Sequence, residues 1–213
     1  PPHGGWGPAP QCPWTTASLL EQAANYPVPD ESVLQQITDR GLRSHIGLTG
    51  FVRGGFVIDY GMDSQQAKRT LSIPFPKEWR ILLIQTGDSQ QITGESEKEL
   101  FARCESARNP NRTQMLEMIE NTLIPAVTHK NWNLWDRSIG EYGQLAGRVF
   151  EEVQQGVYRT ERIQEVVNAL SELGGFGGVQ SSWGPTVAWI AKNEADADKM
   201  ATELKNRIKD SQV

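Results

Sequence analysis

The stretch GGFGGVQSSWGPTVAWIA, residues 174–191, combines a cluster of glycines and hydroxyls with a short apolar run. Glycine loses more conformational freedom on folding than other residues, so such a cluster marks a turn or a close approach of the main chain to something. Gly184 and Pro185 are typical turn residues, and TVAWIA has the composition of a strand. We therefore predict a turn that leads directly into a strand.

Two interpretations of this stretch stay open from the residues alone. In the structural one, it is a tight hairpin against which Trp183 packs. In the functional one, loosened main chain and small hydroxyls bind the oxygens of a phosphate group. The functional interpretation predicts phosphate-binding residues at Gly177, Gly178, Ser181, Ser182 and Gly184.

The sequence around this stretch predicts an α+β protein. Apolar residues at helical spacing predict helices over 113–130, 135–149 and 163–173, and EADADKMATELKNRI predicts a last helix with acidic residues early and basic residues late. WRILLIQT predicts a buried strand. Because helices and strands mix without strict alternation, an α+β arrangement is favoured over a doubly wound sheet.

The N-terminal part contains further predicted elements. Asp30 has the position of an N-cap for a helix over ESVLQQITDR. Phe51 and Val52, with the apolar residues after them, predict strand that bends or pairs around Gly54 and Gly55. A boundary near residues 70–76 divides a smaller N-terminal part from a helix-rich C-terminal part.

Composition excludes several classes of function. The 213 residues carry a formal net charge of -5 with a pI near 5.3, which argues against nucleic acid as a partner. No apolar stretch is long enough to span a bilayer, so a membrane protein is not expected. Cys12 and Cys104 show neither metal-ligand nor disulfide spacing, and we expect a cytoplasmic, reducing compartment.

A second candidate region is GLRSHIGLTGFVRGGFVIDYG, residues 41–61. Arg43 and Ser44 follow a glycine and are suited to contact a carboxylate or phosphate, because a guanidinium presents a fork that matches such oxygens. Asp59 can bind a hydroxyl or a cation. The alternative is a glycine-rich hairpin whose polar residues cap the turns.

Three glycine-rich stretches in this order resemble the GHMP kinase superfamily, and most closely its β-ribofuranosylaminobenzene 5'-phosphate synthases. The likeness lies in GLRSHIGLTGFVRGGFVID, IPFPKEWRILLI and above all GVQSSWGPTVAWI. The loop HGGWGPAPQ resembles the second motif of the superfamily, whose matching positions are His3, Gly5, Gly7 and Gln11. The resemblance implies that Gly5, Gly7 and Gln11 bind phosphate, although residues 8–10 depart from that motif.

The resemblance also implies a domain organisation. We expect a partial domain similar to ribosomal protein S5 domain 2 over residues 1–73 and a ferredoxin-like domain over 74–213. Superfamily members carry several strands before the HGGWGPAPQ loop, so the chain is expected to be truncated. Dimerisation would cover the sheet edge that missing strands leave, and a homodimer is therefore expected.

One position separates kinases from synthases within the superfamily. The kinase motif that GLRSHIG resembles places a catalytic aspartate at the position of Gly47, and glycine cannot accept a proton. General-base catalysis contributes roughly 10²- to 10⁴-fold to the rate, so a kinase of that type is disfavoured.

The synthase resemblance implies a ribosyl transfer in tetrahydromethanopterin biosynthesis. The ribose 5-phosphate of phosphoribosyl pyrophosphate is joined to 4-hydroxybenzoate or 4-aminobenzoate, with loss of CO₂ and pyrophosphate and with Mg²⁺ as the expected cofactor. Arg43, Ser44 and Asp59 are the predicted catalytic residues. Two alternatives stay open: a small-molecule kinase that uses ATP, and a non-catalytic remnant that only binds a ligand or partner.

Overall fold

The computed structural model describes residues 30–38, 44–62, 68–87, 110–182 and 184–208. The chain divides into two compact units, with the described residues up to Phe75 in the first and those from Pro76 onward in the second. The assignment of these units to the two expected superfamily domains stays a prediction.

The first unit contains two short helices and a β-hairpin. Helices α1 and α2 span Glu31–Thr38 and Ile46–Arg53, and the antiparallel strands β1 and β2 span Phe56–Met62 and Lys68–Ile73. Asp30 caps α1, because its Oδ1 accepts hydrogen bonds from the main-chain N–H groups of Ser32 at 2.9 Å and Val33 at 3.0 Å. The predicted helix and its N-cap are therefore confirmed.

The prediction of strand at Phe51 and Val52 was wrong, since both lie in α2. The helical conformation places Leu48 and Phe51 on one face, where they pack with Leu34 of α1. Gly54, with a φ of 65°, ends the helix and donates its N–H to the Gly50 carbonyl. The apolar residues before Gly54 thus form a helix, and those after it form a strand.

The second unit contains an antiparallel sheet in the order β3-β5-β4. Strand β3 spans Arg80–Gln85, β4 spans Val179–Gln180 and β5 spans Thr186–Ala191. These bounds confirm the strands predicted from WRILLIQT and TVAWIA. The central strand β5 is buried at Val187 and Trp189.

Helices of the second unit follow the predicted apolar periodicity. The helix predicted over 113–130 is confirmed, with a π-helical turn in its middle just before Pro125, which lacks the N–H needed to continue an α-helical ladder. The segments are α3 (Arg112–Met118), the π-helical Ile119–Leu123, α4 (Ile124–Thr128), α5 (Trp132–Val149), α6 (Glu151–Gln154), α7 (Glu161–Glu172) and α8 (Glu194–Arg207).

The core of the second unit lies between the sheet and the apolar faces of α7 and α8. Ile163 and Leu170 of α7 and Leu204 of α8 are fully buried against Val187 of β5. This packing of helices on an antiparallel sheet confirms the predicted α+β class. None of the described helices is long and apolar enough to cross a bilayer.

Candidate functional site

The stretch GGFGGVQSSWGPTVAWIA, residues 174–191, contains strands β4 and β5, which pair as a hairpin. Val179 pairs with Ala188, and Gln180 pairs with Val187. The turn is closed by the Ser181 N–H, which donates to the Thr186 carbonyl at 2.9 Å. These bonds place two serines at the end of the hairpin, and we call residues 181–182 the hairpin tip.

The tip has an unusual main-chain conformation that its neighbours support. Ser181 and Ser182 are exposed, and Ser182 has a φ of 49°, which is uncommon for a residue other than glycine. The side-chain amide of Gln180 donates to the Ser182 carbonyl and accepts a hydrogen bond from the Arg159 N–H at 2.8 Å. Gly184 donates its N–H to the Ser181 carbonyl at 2.8 Å. The tip is thus a turn that several hydrogen bonds hold in place, and it exposes two serine residues.

One buried carboxylate holds the two arms of the hairpin together. Asp136 of α5 is 2% exposed. Its Oδ2 accepts the Phe176 N–H at 2.8 Å, and its Oδ1 accepts the Gly177 N–H at 2.8 Å and the Trp189 indole N–H at 2.7 Å. Phe176 and Gly177 precede β4, whereas Trp189 belongs to β5. Asp136 therefore links both arms of the hairpin near the pair of Val179 with Ala188.

Two opposing effects act on the Asp136 carboxyl. Burial raises its pKa, because the charged form loses solvation in the interior. The three N–H donors and the nearby Arg137 guanidinium act in the other direction, since they favour the charged form. All three hydrogen-bond partners are donors, so the ionised acceptor is the form that satisfies them together.

The glycines of this stretch are explained by close packing. A Cβ atom on Gly177 would lie 2.7 Å from Oδ1 of Asp136, and one on Gly178 would lie 2.8 Å from Cδ1 of Leu170. On the facing helix α5, a Cβ on Gly140 would collide with the Phe176 carbonyl oxygen, and one on Gly143 with the Val179 side chain. The segment before β4 and helix α5 thus approach each other more closely than any side chain at these glycine positions would allow.

In the first unit, the structure brings together the predicted residues Ser44 and Asp59. Oδ2 of Asp59 accepts the Ser44 hydroxyl at 3.1 Å and the His45 N–H at 2.9 Å, and Oδ1 accepts the Gly61 N–H at 2.9 Å. These bonds stabilise the segment that leads into α2, at a helix start and not in the turn of a hairpin as the alternative predicted. The catalytic assignment of Ser44 and Asp59 stays a prediction.

Four predicted site residues lie outside the described residues, namely Gly5, Gly7, Gln11 and Arg43, and so does Trp183, whose predicted packing is therefore not tested. Phosphate binding by Gly5, Gly7 and Gln11 and the catalytic role of Arg43 therefore stay predictions. Across the described ranges, no group of three or more His, Cys, Asp or Glu side chains is placed to hold a metal ion.

Two residues of this arrangement were not identified from the sequence. Asp136 begins a series with Gly140, Gly143 and Gly147 that recurs at helical spacing on one face of α5. An acidic residue in line with three glycines was the available signal. Gln180 gave no such signal in the sequence, because its hydrogen bonds depend on the conformation of the turn beside it.

The family model described as "GHMP kinases C terminal" matches residues 123–210. This segment includes α5, α7, α8 and the whole hairpin. The resemblance to the GHMP kinase superfamily is therefore confirmed for this segment of the chain.

One curated relative is the beta-ribofuranosylphenol 5'-phosphate synthase of Methanothermobacter thermautotrophicus. It is 24% identical over 201 residues, which are 88% of this chain and 60% of the relative. The chain thus spans less than two thirds of the length of that protein. Among solved structures, the homoserine kinase of Cytophaga hutchinsonii aligns with a TM-score of 0.48 and 13% identity, covering 91% of this chain and 59% of the kinase.

Proposed function

We propose that this chain belongs to a ribosyltransferase-type synthase of the GHMP superfamily. The observation that carries the proposal is the alignment over 88% of the chain with a protein named for the product β-ribofuranosylphenol 5'-phosphate. In the proposed reaction, the bond between ribose carbon 1 and pyrophosphate breaks and pyrophosphate leaves. A carbon–carbon bond forms at carbon 1 of 4-hydroxybenzoate or 4-aminobenzoate, and the electrons of the broken carboxyl bond restore the aromatic ring as CO₂ departs.

Within this proposal, the hairpin tip binds phosphate oxygens of phosphoribosyl pyrophosphate. Ser181 and Ser182 are exposed and carry hydroxyls that can donate to such oxygens. The N–H groups of Gly177 and Gly184 already donate to Asp136 and to the Ser181 carbonyl. We therefore assign phosphate contact first to the two hydroxyls, with the glycines shaping the main chain around them.

Arg43, Ser44 and Asp59 are proposed to stabilise the charge that develops on the leaving pyrophosphate. Fixed donors directed at developing charge are an effective means of catalysis, and a guanidinium binds two oxygens at once. We expect Mg²⁺ to accompany the pyrophosphate group, because phosphate oxygens are ligands that this ion prefers.

An assay of pyrophosphate release tests the proposal. The chain is incubated with phosphoribosyl pyrophosphate and each benzoate in turn, and we expect pyrophosphate and CO₂ in equal amounts with one of them. Arg43→Ala and the double variant Ser181→Ala with Ser182→Ala should each lower turnover. Full turnover by a folded Arg43→Ala variant would remove Arg43 from the site.

A small-molecule kinase is the second candidate, favoured by the description of the matching family model. Its distinguishing product is ADP formed from ATP in the presence of a sugar or polyol. Formation of ADP without any release of pyrophosphate from phosphoribosyl pyrophosphate would favour the kinase over the synthase.

A further inference from the structure

The carboxylate of Asp136 lies at the base of the hairpin, at the opposite end from the exposed tip. Its three hydrogen bonds reach residues 176 and 177 before β4 and residue 189 in β5. Trp189 follows Ala188, the partner of Val179 in the ladder. The carboxylate therefore joins the two arms just beyond the pair of Val179 with Ala188, which is the pair farther from the tip.

The ladder between this base and the tip is very short. Strand β4 contains only Val179 and Gln180, so the main-chain pairing of β4 with β5 contributes little to fixing the angle of the hairpin. Gln180 supports the turn itself through Ser182 and Arg159. The contacts of Asp136 supply the missing support at the other end.

We infer that Asp136 is a positioning residue, which fixes both arms of the hairpin so that Ser181 and Ser182 are held in a geometry that binds pyrophosphate. This inference rests on the proposed function of the hairpin tip. It assigns to α5 a role in ligand binding through a residue that does not touch the ligand.

The chemistry of the site makes a carboxylate difficult to replace. Asparagine offers one oxygen, which can keep the Gly177 and Trp189 donors, but its NH₂ group would then face the Phe176 N–H. Two donors would confront each other in a buried place, and one main-chain N–H would lose its acceptor. Glutamate would need space that the close approach of α5 and Gly177 does not provide.

Four variants separate positioning from general stability. Asp136→Asn removes one acceptor, and Trp189→Phe removes the indole donor together with part of the volume of a buried ring. Glu141→Gln makes a matched acid-to-amide change at an exposed position of α5. Ile163→Val removes one methylene from the core that packs on β5 and leaves the hydrogen bonds of Asp136 intact, so it measures the effect of a weakened core alone.

The measurement combines amide hydrogen exchange at Ser181 and Gly184 with a titration by inorganic pyrophosphate, both followed by NMR. We expect Asp136→Asn to speed exchange at the two tip amides and to weaken pyrophosphate binding by about 10- to 100-fold. Trp189→Phe should act in the same direction to a smaller extent. Glu141→Gln should change neither quantity, and Ile163→Val should not act selectively at the tip.

A folded Asp136→Asn variant with unchanged tip exchange and unchanged affinity would overturn the inference. If Asp136→Asn does not fold, Trp189→Phe decides: selective loss at the tip supports the inference, and no loss overturns it. Failure of the wild-type chain to bind pyrophosphate, with tip exchange still altered in Asp136→Asn, would count against the proposed function while supporting the positioning of the tip.

Discussion

The glycines of residues 54–55 and those of residues 175–178 serve different physical needs. Gly54 and Gly55 have φ values of 65° and 81°, which side chains rarely adopt, and they allow the chain to leave α2 and enter β1. Gly175, Gly177 and Gly178 do not have positive φ, but a Cβ at each would meet a side chain within 3 Å. Gly54 supplies backbone freedom alone, whereas Gly175, Gly177 and Gly178 supply space. Gly55 is needed for both reasons, because a Cβ there would also collide with the Ile73 carbonyl oxygen.

This difference bears on how the glycine clusters relate to function. A glycine needed for backbone conformation says little about its surroundings. A glycine needed for space shows that two segments are held in close contact, which is what a rigid ligand-binding hairpin requires. Of four predictions, taken from the largest expected effect to the smallest, the first two test this contrast and the other two concern carboxylates of the same two units.

Gly140→Ala should lower the free energy of unfolding of the second unit by about 3 kcal/mol, because the new methyl group collides with the Phe176 carbonyl oxygen. The matched change Gly50→Ala, also inside a helix, meets nothing closer than Val57 Cγ2 at 3.9 Å. Gly50→Ala should therefore raise the free energy of unfolding of the first unit, by about 0.5–1 kcal/mol. Urea denaturation measures both, and equal effects at the two positions would contradict the contrast.

Gly54→Ala should destabilise the first unit by about 2 kcal/mol through backbone strain alone. Within the described part of the chain, and apart from its two chain neighbours, no atom lies within 4 Å of the position of its Cβ, so crowding does not explain a loss. Gly156→Ala serves as the control, since its main chain lacks a positive φ and its nearest contact, the Tyr158 carbonyl oxygen at 3.5 Å, is ordinary. Thermal denaturation measures this loss, and an unchanged midpoint temperature in the Gly54→Ala variant would refute the explanation by backbone strain.

Asp59→Ala should cost about 1 kcal/mol, since the Ser44 hydroxyl and the N–H groups of His45 and Gly61 lose an acceptor but can reach water. Ser44→Ala removes one of these bonds and should cost less. If Asp59 is also catalytic, Asp59→Asn should lower turnover by more than its stability loss accounts for. Activity and denaturation midpoint measured on the same samples distinguish the two roles.

The pH dependence of stability should have opposite signs at Asp136 and Asp30. Burial raises the pKa of Asp136 above its ordinary value of 3.8, so its contribution to stability is greatest below that value and declines as pH rises through the folded pKa. Hydrogen bonds from Val33 and Ser32 lower the pKa of Asp30, whose contribution is present above 3.8 and lost as pH falls through the folded pKa.

Asp136→Asn and Asp30→Asn should therefore change the acid side of a stability-against-pH curve in opposite directions. Denaturation at a series of pH values checks this expectation. Parallel changes in the two variants would show that the donors around Asp136 outweigh the effect of its burial.

Much of the fold followed from local patterns in the sequence. The apolar stripes of α5 and α7, the Asp30 cap and strands β3 and β5 were predicted because period and capping chemistry act over a few residues. Phe51 and Val52 were assigned to a strand because a short apolar run beside glycines is compatible with either structure. Contact of α2 with Leu34 decided the conformation.

The candidate site was predictable only in part, for a similar reason. The turn at Gly184 and Pro185 has a local chemical signature, so the hairpin could be inferred. The bonds of Asp136 to Phe176, Gly177 and Trp189 join residues about forty to fifty positions apart, which no local pattern reports.

The most direct test of the account is a titration of the isotopically labelled chain with phosphoribosyl pyrophosphate, observed through the amide resonances of Ser181, Ser182 and Gly184. These three amide resonances should shift together and saturate as phosphoribosyl pyrophosphate is added. The double variant Ser181→Ala with Ser182→Ala should lose this response. Saturating shifts elsewhere in the chain with no change at these three residues would contradict the role given to the hairpin tip.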